Sequence, residues 1–334
     1  MTTMVGRHPG PATGAGELDV AAFRALYTRM GDAVEIAVHG KRHVVDLVLV
    51  ALFSGGHVLL EDVPGTGKTT LARALAVALG GATRRIQFTP DLLPSDVTGT
   101  AVYEPSTGDI RFRPGPVFAH VVLADKINRA AAKTQSALLE VMDERTVTVD
   151  GVGHGVPEPF LVVATQNPVD LDGTYRLPEA QLDRFLIRTG LGYPDLEHEV
   201  EVLRPGSWAG EVARVQTVTR PEELAEVAEV LRHLHVAEPL LRYVRALGTV
   251  TRADARLRLG ASTRGLRALV RCAQVYAAAQ GRHYVVPGDV YRLAEPVLGH
   301  RLILTREAQL SGVTTTDVIA DALVTVEAPR PAAG

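Results

Sequence analysis

The sequence lacks the features that mark secreted, membrane-spanning and nucleic-acid-coating proteins. It has a single cysteine, Cys272, so no internal disulfide can form and a reducing compartment is expected. Its most apolar stretches, Val44–Leu52 and Leu71–Leu79, are too short and too interrupted to cross a bilayer. The net charge of -3 supplies no basic field, which argues against nucleic acid as the main partner. These absences favour a cytoplasmic protein.

The amino terminus differs in composition from the rest of the chain. Met1–Glu17 is rich in Gly, Pro, Ala and Thr and contains no apolar block typical of a signal sequence, so we expect a disordered tail over residues 1–17. Across the 334 residues, 46% are hydrophobic and 22% charged, which is typical of a globular protein with a sizeable core.

Short apolar runs alternate with helical patterns as far as residue 193. The predicted strands are His57–Leu60, Arg85–Phe88, His120–Ala124, Phe160–Ala164 and Phe185–Arg188. The predicted helices of the same region include Phe23–Met30, Val44–Leu52 and Lys68–Leu79. Strands that alternate with helices predict a parallel sheet in a three-layer α/β domain, which we assign to residues 18–193.

After residue 193 the pattern becomes helical throughout. The predicted helices are Glu222–Leu234, Leu240–Thr249, Ser262–Ala279 and Pro287–Leu298. We therefore predict a helical second domain, with a carboxyl-terminal tail, over residues 194–334.

A loop suited to binding phosphate follows the first predicted strand and opens a helix. Its residues are Asp62, Val63, Pro64, Gly65, Thr66, Gly67, Lys68, Thr69 and Thr70. Backbone amides in such a loop can cradle phosphate oxygens, while Lys68 can reach the β and γ phosphates and the Thr69 hydroxyl can ligate magnesium. Asp62 stands where the general pattern has its first glycine. A glycine-rich turn with no ligand is the plain alternative.

A second chemical signal follows the predicted strand His120–Ala124. Asp125 comes directly after this buried run, where P-loop enzymes hold the magnesium ion and its water. The next residue should polarise the attacking water, a task that needs a group able to accept a proton near neutral pH. That residue is Lys126, and a lysine is a cation at pH 7 unless it is strongly desolvated.

With these motifs the chain resembles the MoxR family of AAA+ ATPases from about Val34 to Arg306. The segments that carry the resemblance are Asp62–Thr70, Ala124–Ala130, Lys133–Glu140 and Ala164–Pro168, in this order and spacing. The family usually has Asp-Glu-Ile-Asn-Arg where this chain has Asp-Lys-Ile-Asn-Arg. The resemblance implies a P-loop AAA+ domain followed by a helical lid, with ATP and Mg²⁺ as cofactors.

Two further site residues follow from the resemblance. Asn167 matches the polar sensor that orients water against the γ-phosphate, although an Asn before Pro168 also suits a simple turn. Arg264 matches a second sensor in the first turn of a lid helix, which closes the helical domain over the phosphates. Arg267, one turn later, is the rival candidate for that role.

Arg184 matches the arginine finger that reaches into the nucleotide site of a neighbouring subunit. The fixed charge of an arginine suits this role because it can stabilise the transferring phosphoryl group. A surface ion pair with Asp183 or Glu179 is the alternative. A finger of this kind has no use in a monomer, so the resemblance implies a homo-oligomeric ring, which we expect to be a hexamer.

Two hairpins are predicted where related AAA+ proteins carry insertions. Gly99–Gly115 alternates around a turn at Pro105–Asp109, and Arg145–Val156 turns at Asp150–Gly151. They are either surface decoration or loops that face the pore or a partner and move with nucleotide state.

The resemblance implies a chaperone-like remodeller that helps a partner protein complex to mature or assemble. A protein with a von Willebrand factor A type domain is one such partner. Because of Lys126, we expect impaired hydrolysis of ATP to ADP and phosphate. A nucleotide-dependent scaffold with little turnover is therefore an alternative, and a magnesium chelatase-like motor subunit is another.

Overall fold

The computed structural model describes residues 19–63, 65–106, 108–167, 175, 177–193, 200 and 211–329. Three predictions lie outside these residues: the amino-terminal tail over 1–17, the placement of Pro64, and the domain boundary after residue 193. Among the described residues no helix is long and apolar enough to cross a membrane.

The amino-terminal part of the chain alternates helices and strands. Its first elements are α1 (Val20–Glu35), α2 (Arg42–Phe53), β1 (Val58–Glu61), α3 (Lys68–Ala78), β2 (Thr83–Gln87) and α4 (Pro94–Thr98). A hairpin of β3 (Gly99–Glu104) and β4 (Asp109–Pro114) follows. The next elements are β5 (Val121–Asp125), a 3-10 turn (Ile127–Arg129), α5 (Ala132–Glu144), β6 (Thr146–Val149), β7 (Val152–Gly155), β8 (Leu161–Gln166), α6 (Glu179–Leu182) and β9 (Ile187–Thr189).

The carboxyl-terminal part is mainly helical. Its elements are α7 (Glu211–Arg214), α8 (Pro221–Leu231), α9 (Glu238–Ala253), β10 (Leu257–Leu259), α10 (Thr263–Ala279), α11 (Pro287–Leu298), a 3-10 turn (Gly299–Arg301), β11 (Ile303–Leu304), α12 (Arg306–Leu310) and α13 (Thr315–Thr325). The four predicted helices are present. The same part also contains a short antiparallel pair, β10 and β11, which the sequence did not indicate. Strands of two and three residues are too short to leave a period in the sequence.

Five parallel strands form the central sheet in the order β2-β5-β8-β1-β9. Side chains of alternate strand residues point to opposite faces. On β1, Val58 and Leu60 therefore pack against α1, α2 and α3, whereas Leu59 packs against the α5 side. All five predicted strands are present, and the burial of both faces confirms the three-layer α/β fold.

Side-chain caps explain where several helices begin. The Asp19 carboxylate accepts from Ala22 N at 3.0 Å at the start of α1. The Ser262 hydroxyl likewise accepts from Gly265 N at 3.0 Å, which starts α10. Such caps satisfy backbone donors that have no partner within the helix.

Arg301 ties the lid helices to the sheet. Its side chain is only 4% exposed, and its Nε donates to Asp183 Oδ1 at 2.6 Å. The same guanidinium donates to the Phe185 carbonyl at 2.8 Å, just before β9. A buried charge that is paired and hydrogen-bonded is costly to disrupt, so this contact fixes the end of α11 against the sheet.

The two predicted hairpins are present and contact each other. The ring of Phe112 on β4 stacks on the ring of His154 on β7, with centroids 4.1 Å apart and an interplanar angle of 21°. At the outer end of the first hairpin, Tyr103 and Ile110 lie opposite each other and are 60% and 71% exposed. The hairpins thus form one joined unit with an apolar tip.

His57 is buried at the amino end of β1. Its Nδ1 accepts from Val162 N at 3.0 Å, and its Nε2 lies 3.1 Å from the Met142 carbonyl. These partners fit a neutral ring with the proton on Nε2, since a second proton would face the Val162 donor. Burial, and then the nearby Arg145 charge, lower the pKa of His57 from 6.5 to about 3.

We expect His57 to make the fold sensitive to acid. The unfolded chain takes up a proton at this residue below pH 6.5, whereas the folded chain does so only near pH 3. The stability that neutral His57 contributes is complete above pH 6.5, and it falls by up to about 1.4 kcal/mol per pH unit between those values. Urea unfolding at a series of pH values should show a shallower acid dependence for His57→Gln.

The exposed His233 provides the control, because His233→Gln should keep the original slope. If His57→Gln and the unmodified chain lost stability equally between pH 6.5 and 4.5, the assignment of this acid sensitivity to His57 would be wrong.

Candidate functional site

A pocket of about 260 Å³ lies at the carboxyl edge of the sheet. Most of the residues predicted for the nucleotide site line it together: Gly65, Thr66, Gly67, Lys68, Thr69, Thr70, Asp125, Lys126 and Asn167. Strands β1, β5 and β8 all end here because they are parallel. The fold therefore brings together motifs that are about 100 residues apart in the sequence.

Two glycines give the loop after β1 its shape. Gly65 has φ 87° and Gly67 has φ 94°, both in the left-handed region that a residue with a Cβ rarely adopts. Helix α3 begins at the next residue, Lys68, so the amide groups of its first turn point towards the loop. A helix amino terminus with free amides attracts anions such as phosphate.

Lys68 lies folded against its own loop. Its Nζ donates to the Val63 carbonyl at 2.6 Å and lies 3.3 Å from the Asp62 carbonyl. Burial lowers the pKa of Lys68, the neighbouring carboxylates of Asp62 and Asp125 oppose that shift, and the charge of Lys126 adds to it. The ammonium is thus held at the pocket by weak neutral acceptors that a phosphate can replace.

Asp62, the departure from the general loop pattern, has a structural role. Its Oδ1 accepts from Val63 N at 2.9 Å, and its Oδ2 accepts from Gly192 N at 2.8 Å. Gly192 lies just beyond β9, so the carboxylate joins the start of the loop to the neighbouring strand connection. An aspartate at this position therefore braces the loop at the edge of the pocket, which it also lines.

The Asp125 carboxylate is oriented by two neighbours. Thr165 Oγ1 donates to its Oδ1 at 2.8 Å, and Arg85 Nη2 donates to its Oδ2 at 2.6 Å. The same Thr165 hydroxyl accepts from Lys126 N at 2.8 Å. Asp125 is only 13% exposed, whereas Arg85 is half exposed. Because Arg85 is so exposed, we expect its ion pair to add little stability and to yield readily to a competing cation.

Lys126 itself lies in the left-handed backbone region, with φ 58° and ψ 51°. Its side chain is half-buried and lines the pocket. The turn that follows is held by Gln135, whose Nε2 donates to the Ile127 and Ala130 carbonyls, each at 3.1 Å. Backbone contacts thus set the position of residue 126 without help from its side chain.

Arg184 and Arg264 do not reach this pocket. They line a separate cleft at the amino ends of β1 and β8, and no described residue lines both. Asp143, at the end of α5, binds both arginines, with Arg184 Nε 3.0 Å from its Oδ2 and Arg264 Nη2 2.9 Å from its Oδ1. Arg267, the rival of Arg264, lines the same cleft.

Sequence reasoning missed Arg85, Thr165 and Gln135. Thr165 could have been found, because the predicted strands that end at Ala124 and Ala164 place the next residues side by side. No pattern in the sequence indicates the contacts of Arg85 or Gln135, because each residue acts through a long side chain that reaches another element.

Comparison with known proteins agrees with this geometry. Residues 57–187 match the family model described as "ATPase family associated with various cellular activities (AAA)", and residues 249–322 match the model "AAA lid domain". A crystal structure of a candidate ATPase from Cytophaga hutchinsonii has a TM-score of 0.87 and 38% identity, over 93% of this chain and 97% of that one. The fold and the pocket thus define an AAA+ nucleotide-binding domain with its lid.

Relatives along nearly the whole chain identify the family more closely. The uncharacterized protein YeaC of Bacillus subtilis is 43% identical over 91% of this chain and 96% of its own length. Chaperone MoxR1 of Mycobacterium tuberculosis is 40% identical over 97% of this chain and 87% of its own length. Protein MoxR of Methylorubrum extorquens is 33% identical over 94% of this chain and 98% of its own length. The chain belongs to the MoxR family of AAA+ ATPases.

We predict that Asp62→Ala loosens the loop. The change leaves the Val63 and Gly192 amides without their acceptor, so the free energy of unfolding should fall by about 1–3 kcal/mol. Affinity for a fluorescent ATP analogue should also fall, because binding must then order the loop. Asp62→Asn keeps one acceptor oxygen and should give intermediate values in both measurements. Equal behaviour of Asp62→Ala and the unmodified chain in urea unfolding and nucleotide titration would contradict the bracing role.

Proposed function

We propose that this chain forms an ATP-binding ring whose hydrolysis of ATP is strongly slowed by Lys126, and which acts on a partner protein chiefly through its nucleotide-bound state. One observation carries the proposal. Lys126 lies directly after Asp125 on the wall of the pocket that holds Lys68 and its loop. Binding and catalysis therefore depend on different residues of the same pocket.

The residues that would hold the nucleotide are all in place. Amides of the loop and of the first turn of α3 can bind phosphate oxygens, and Lys68 can exchange its carbonyl acceptors for them. Asn167 lines the same pocket at the end of β8, where its amide can help to orient water. All of these groups belong to residues other than Lys126.

The donors around Asp125 fit a magnesium ion. Mg²⁺ in phosphate sites is bound by one or two protein oxygens together with substrate phosphates and water. The Asp125 carboxylate and the Thr69 hydroxyl are oxygens of this type, and both line the pocket. When bound, the ion would supply positive charge that stabilises the phosphoryl group. Thr165 orients Asp125 for this role, and Arg85 must give up part of its contact.

Lys126 changes the chemistry of the pocket in two ways. An ammonium cannot accept a proton from water, so the general base that this position should provide is absent from it. The same ammonium also adds positive charge beside Lys68, and its charge is one of the causes that lower the pKa of Lys68. A cation at this position favours binding of the ATP phosphates, but it does not provide the base that hydrolysis of ATP needs.

We predict that Lys126→Glu raises the steady-state rate of ATP hydrolysis by roughly 10²- to 10⁴-fold, since it restores a carboxylate beside the attacking water. Phosphate release at saturating ATP and Mg²⁺ measures this rate. The left-handed backbone at residue 126 is held by Thr165 and Gln135, so the substitution should not disturb the fold.

Lys126→Met is the matched control, because it removes the cation without adding a base. Its turnover should stay slow while its affinity for ATP falls. Robust turnover of the unmodified chain that Lys126→Glu leaves unchanged would sink the proposal.

We further propose that Arg184 and Arg264 act together on the nucleotide of a neighbouring subunit. Both arginines contact Asp143 at the amino edge of the sheet, whereas Lys68 lies at the carboxyl edge of the same sheet. A side chain at one edge cannot serve a nucleotide at the other, but a second subunit can bring the two edges together. This supports the ring, for which we propose six subunits, and assigns Arg264 to the same interface as Arg184.

We predict that two inactive variants regain ATP hydrolysis when they are mixed. In the Lys126→Glu background, Arg184→Ala alone should lower turnover by about 10³-fold, the size of effect typical of an arginine finger. Lys68→Ala alone should also be inactive. A mixture should recover activity, because some interfaces then combine an intact loop with an intact Arg184.

A mixture in which one partner carries both Lys68→Ala and Arg184→Ala should stay inactive, which excludes recovery by a trace contaminant. If Arg184→Ala subunits hydrolyse ATP as well alone as when mixed, Arg184 does not act between subunits.

The proposed work of the ring is to assist the assembly or maturation of a partner protein complex. One relative is named a chaperone, and the joined hairpins present an exposed apolar tip that can contact a protein. A partner with a von Willebrand factor A type domain is the candidate that the family suggests. Slow turnover favours a holding scaffold over a continuous motor, since the closed state would persist. We place this activity in the cytoplasm, with residues 18–193 as the nucleotide-binding domain and residues 194–334 as the lid and tail.

A further inference from the structure

The cleft between the lid and the amino edge of the sheet is large and strongly basic. Its volume is about 1170 Å³, which is at the upper end for a small-molecule pocket. Among the described residues that line it, nine are arginines and four are acids. Arg184 and Arg264 occupy the side nearest Asp143, and Arg301 lies beside Arg264 because both contact Asp183.

One face of α10 supplies three of the arginines. Arg264, Arg267 and Arg271 are spaced by three and four residues, so they form a stripe along this face. Arg264 has an acidic partner in Asp143, but none of the described acids forms an ion pair with Arg267 or Arg271. Like charges at this spacing destabilise a helix. The stripe thus opposes folding unless an anion offsets it.

Further arginines converge on the inner end of the stripe. Arg271 has a buried Nε without a hydrogen-bond partner, and Arg232, the residue directly after α8, is one of the charges that act on it. Burial first, and then Arg232, lower the pKa of Arg271. Arg145 reaches the same region from the α/β domain, and Arg271 is one of the groups that lower its pKa. The charges of these three guanidinium groups therefore oppose one another, and the carboxylates of Glu158 and Glu229 offset part of that repulsion.

The contacts of these groups leave donors available. The two terminal nitrogens of Arg145 donate to the carbonyls of Phe160 and Gly55. Arg232 pairs at 2.6 Å with Glu229, near the end of α8, although both side chains are about half exposed. Arg267 and Arg271 have no such partner, so their forks can bind a ligand. Forked guanidinium donors match the oxygens of a phosphate group.

We propose that the inner cleft binds an oligophosphate, a ligand with two or three linked phosphates, through Arg267 and Arg271 of the lid with Arg232 beside them. The excess of arginines over acids demands several negative charges in a small volume, which linked phosphates supply. The only aromatic side chains among the described lining residues, His57 and Phe160, are buried, so no open face is offered to a nucleobase. The phosphate chain itself is the recognised group.

The site differs from the phosphate loop in position and in effect. A ligand there would lie between α10 of the lid and Arg145 of the α/β domain, and its charge would hold these two parts together. Its source is either a free oligophosphate or the phosphate chain of a nucleotide carried by a neighbouring subunit. The two sources share one chemistry, and the loop variant Lys68→Ala separates them.

The test uses the full chain with Lys68→Ala, which disables the loop in every subunit, and inorganic tripolyphosphate as the probe. Calorimetric titration should show saturable binding with one site per chain, and the probe should raise the unfolding temperature, because it binds the folded form. Adding Arg267→Gln and Arg271→Gln should weaken binding by about tenfold or more, since two charge-assisted contacts are lost. The matched control is Arg292→Gln with Arg306→Gln, which changes the net charge equally at exposed lid positions.

Stability without the probe distinguishes binding from a structural role. Removal of two unpaired like charges should leave the unfolding temperature of the Arg267→Gln, Arg271→Gln chain unchanged or higher, while the rise caused by tripolyphosphate disappears. The proposal is overturned if the Lys68→Ala chain does not bind tripolyphosphate. It is also overturned if the cleft and control variants bind it equally, or if Arg184→Ala abolishes binding and the inner pair does not affect it.

Discussion

Strands β1, β5 and β8 run parallel, with Leu60 beside Thr165 and Ala124 beside Ala164, and this register decides which side chains meet at the nucleotide pocket. The loop after β1, the acid after β5 and the polar end of β8 all follow from it. This register brings the Thr165 hydroxyl to Asp125, where it donates to the Asp125 carboxylate and accepts from the backbone amide of Lys126. Without that alignment, Asp125 would have no fixed direction towards the loop.

The backbone around residue 126 is built independently of the side chain it carries. Its left-handed conformation costs a residue with a Cβ about 1–2 kcal/mol, and the hydrogen bonds from Thr165 and Gln135 hold it there. Because these contacts use the main chain, glutamate and lysine can occupy the same place with the same fold. The pocket can therefore keep its shape with either residue, and the proposed separation of binding from turnover would depend on this one side chain.

The sequence predicts this molecule well where local pattern and strand ends carry the information. Apolar runs between turns place the five strands, and the motifs at their carboxyl ends meet because parallel strands must end together. The Asp-Gly turn at Asp150 likewise predicts the second hairpin, although the stacking of its His154 on Phe112 has no local signal. Arg85 escaped prediction because it reaches Asp125 across a neighbouring strand.

The amino edge of the sheet was not predictable in the same way. Asp143 lies in α5, Arg184 lies between α6 and β9, and Arg264 lies in α10, so the three come from segments far apart in the sequence. The packing of the lid brings Arg264 to the other two. Arg301 sets that packing, since it is buried against Asp183 and the start of β9. A lid docked there keeps Arg264 away from the phosphate loop of its own chain and exposes a basic face at the opposite edge. On these proposals the molecule would have a surface for phosphate at each end of its strands, and a single chain cannot join the two. The proposed ring is the arrangement in which both surfaces would act on one nucleotide, while the inner arginines would stay available for the proposed oligophosphate.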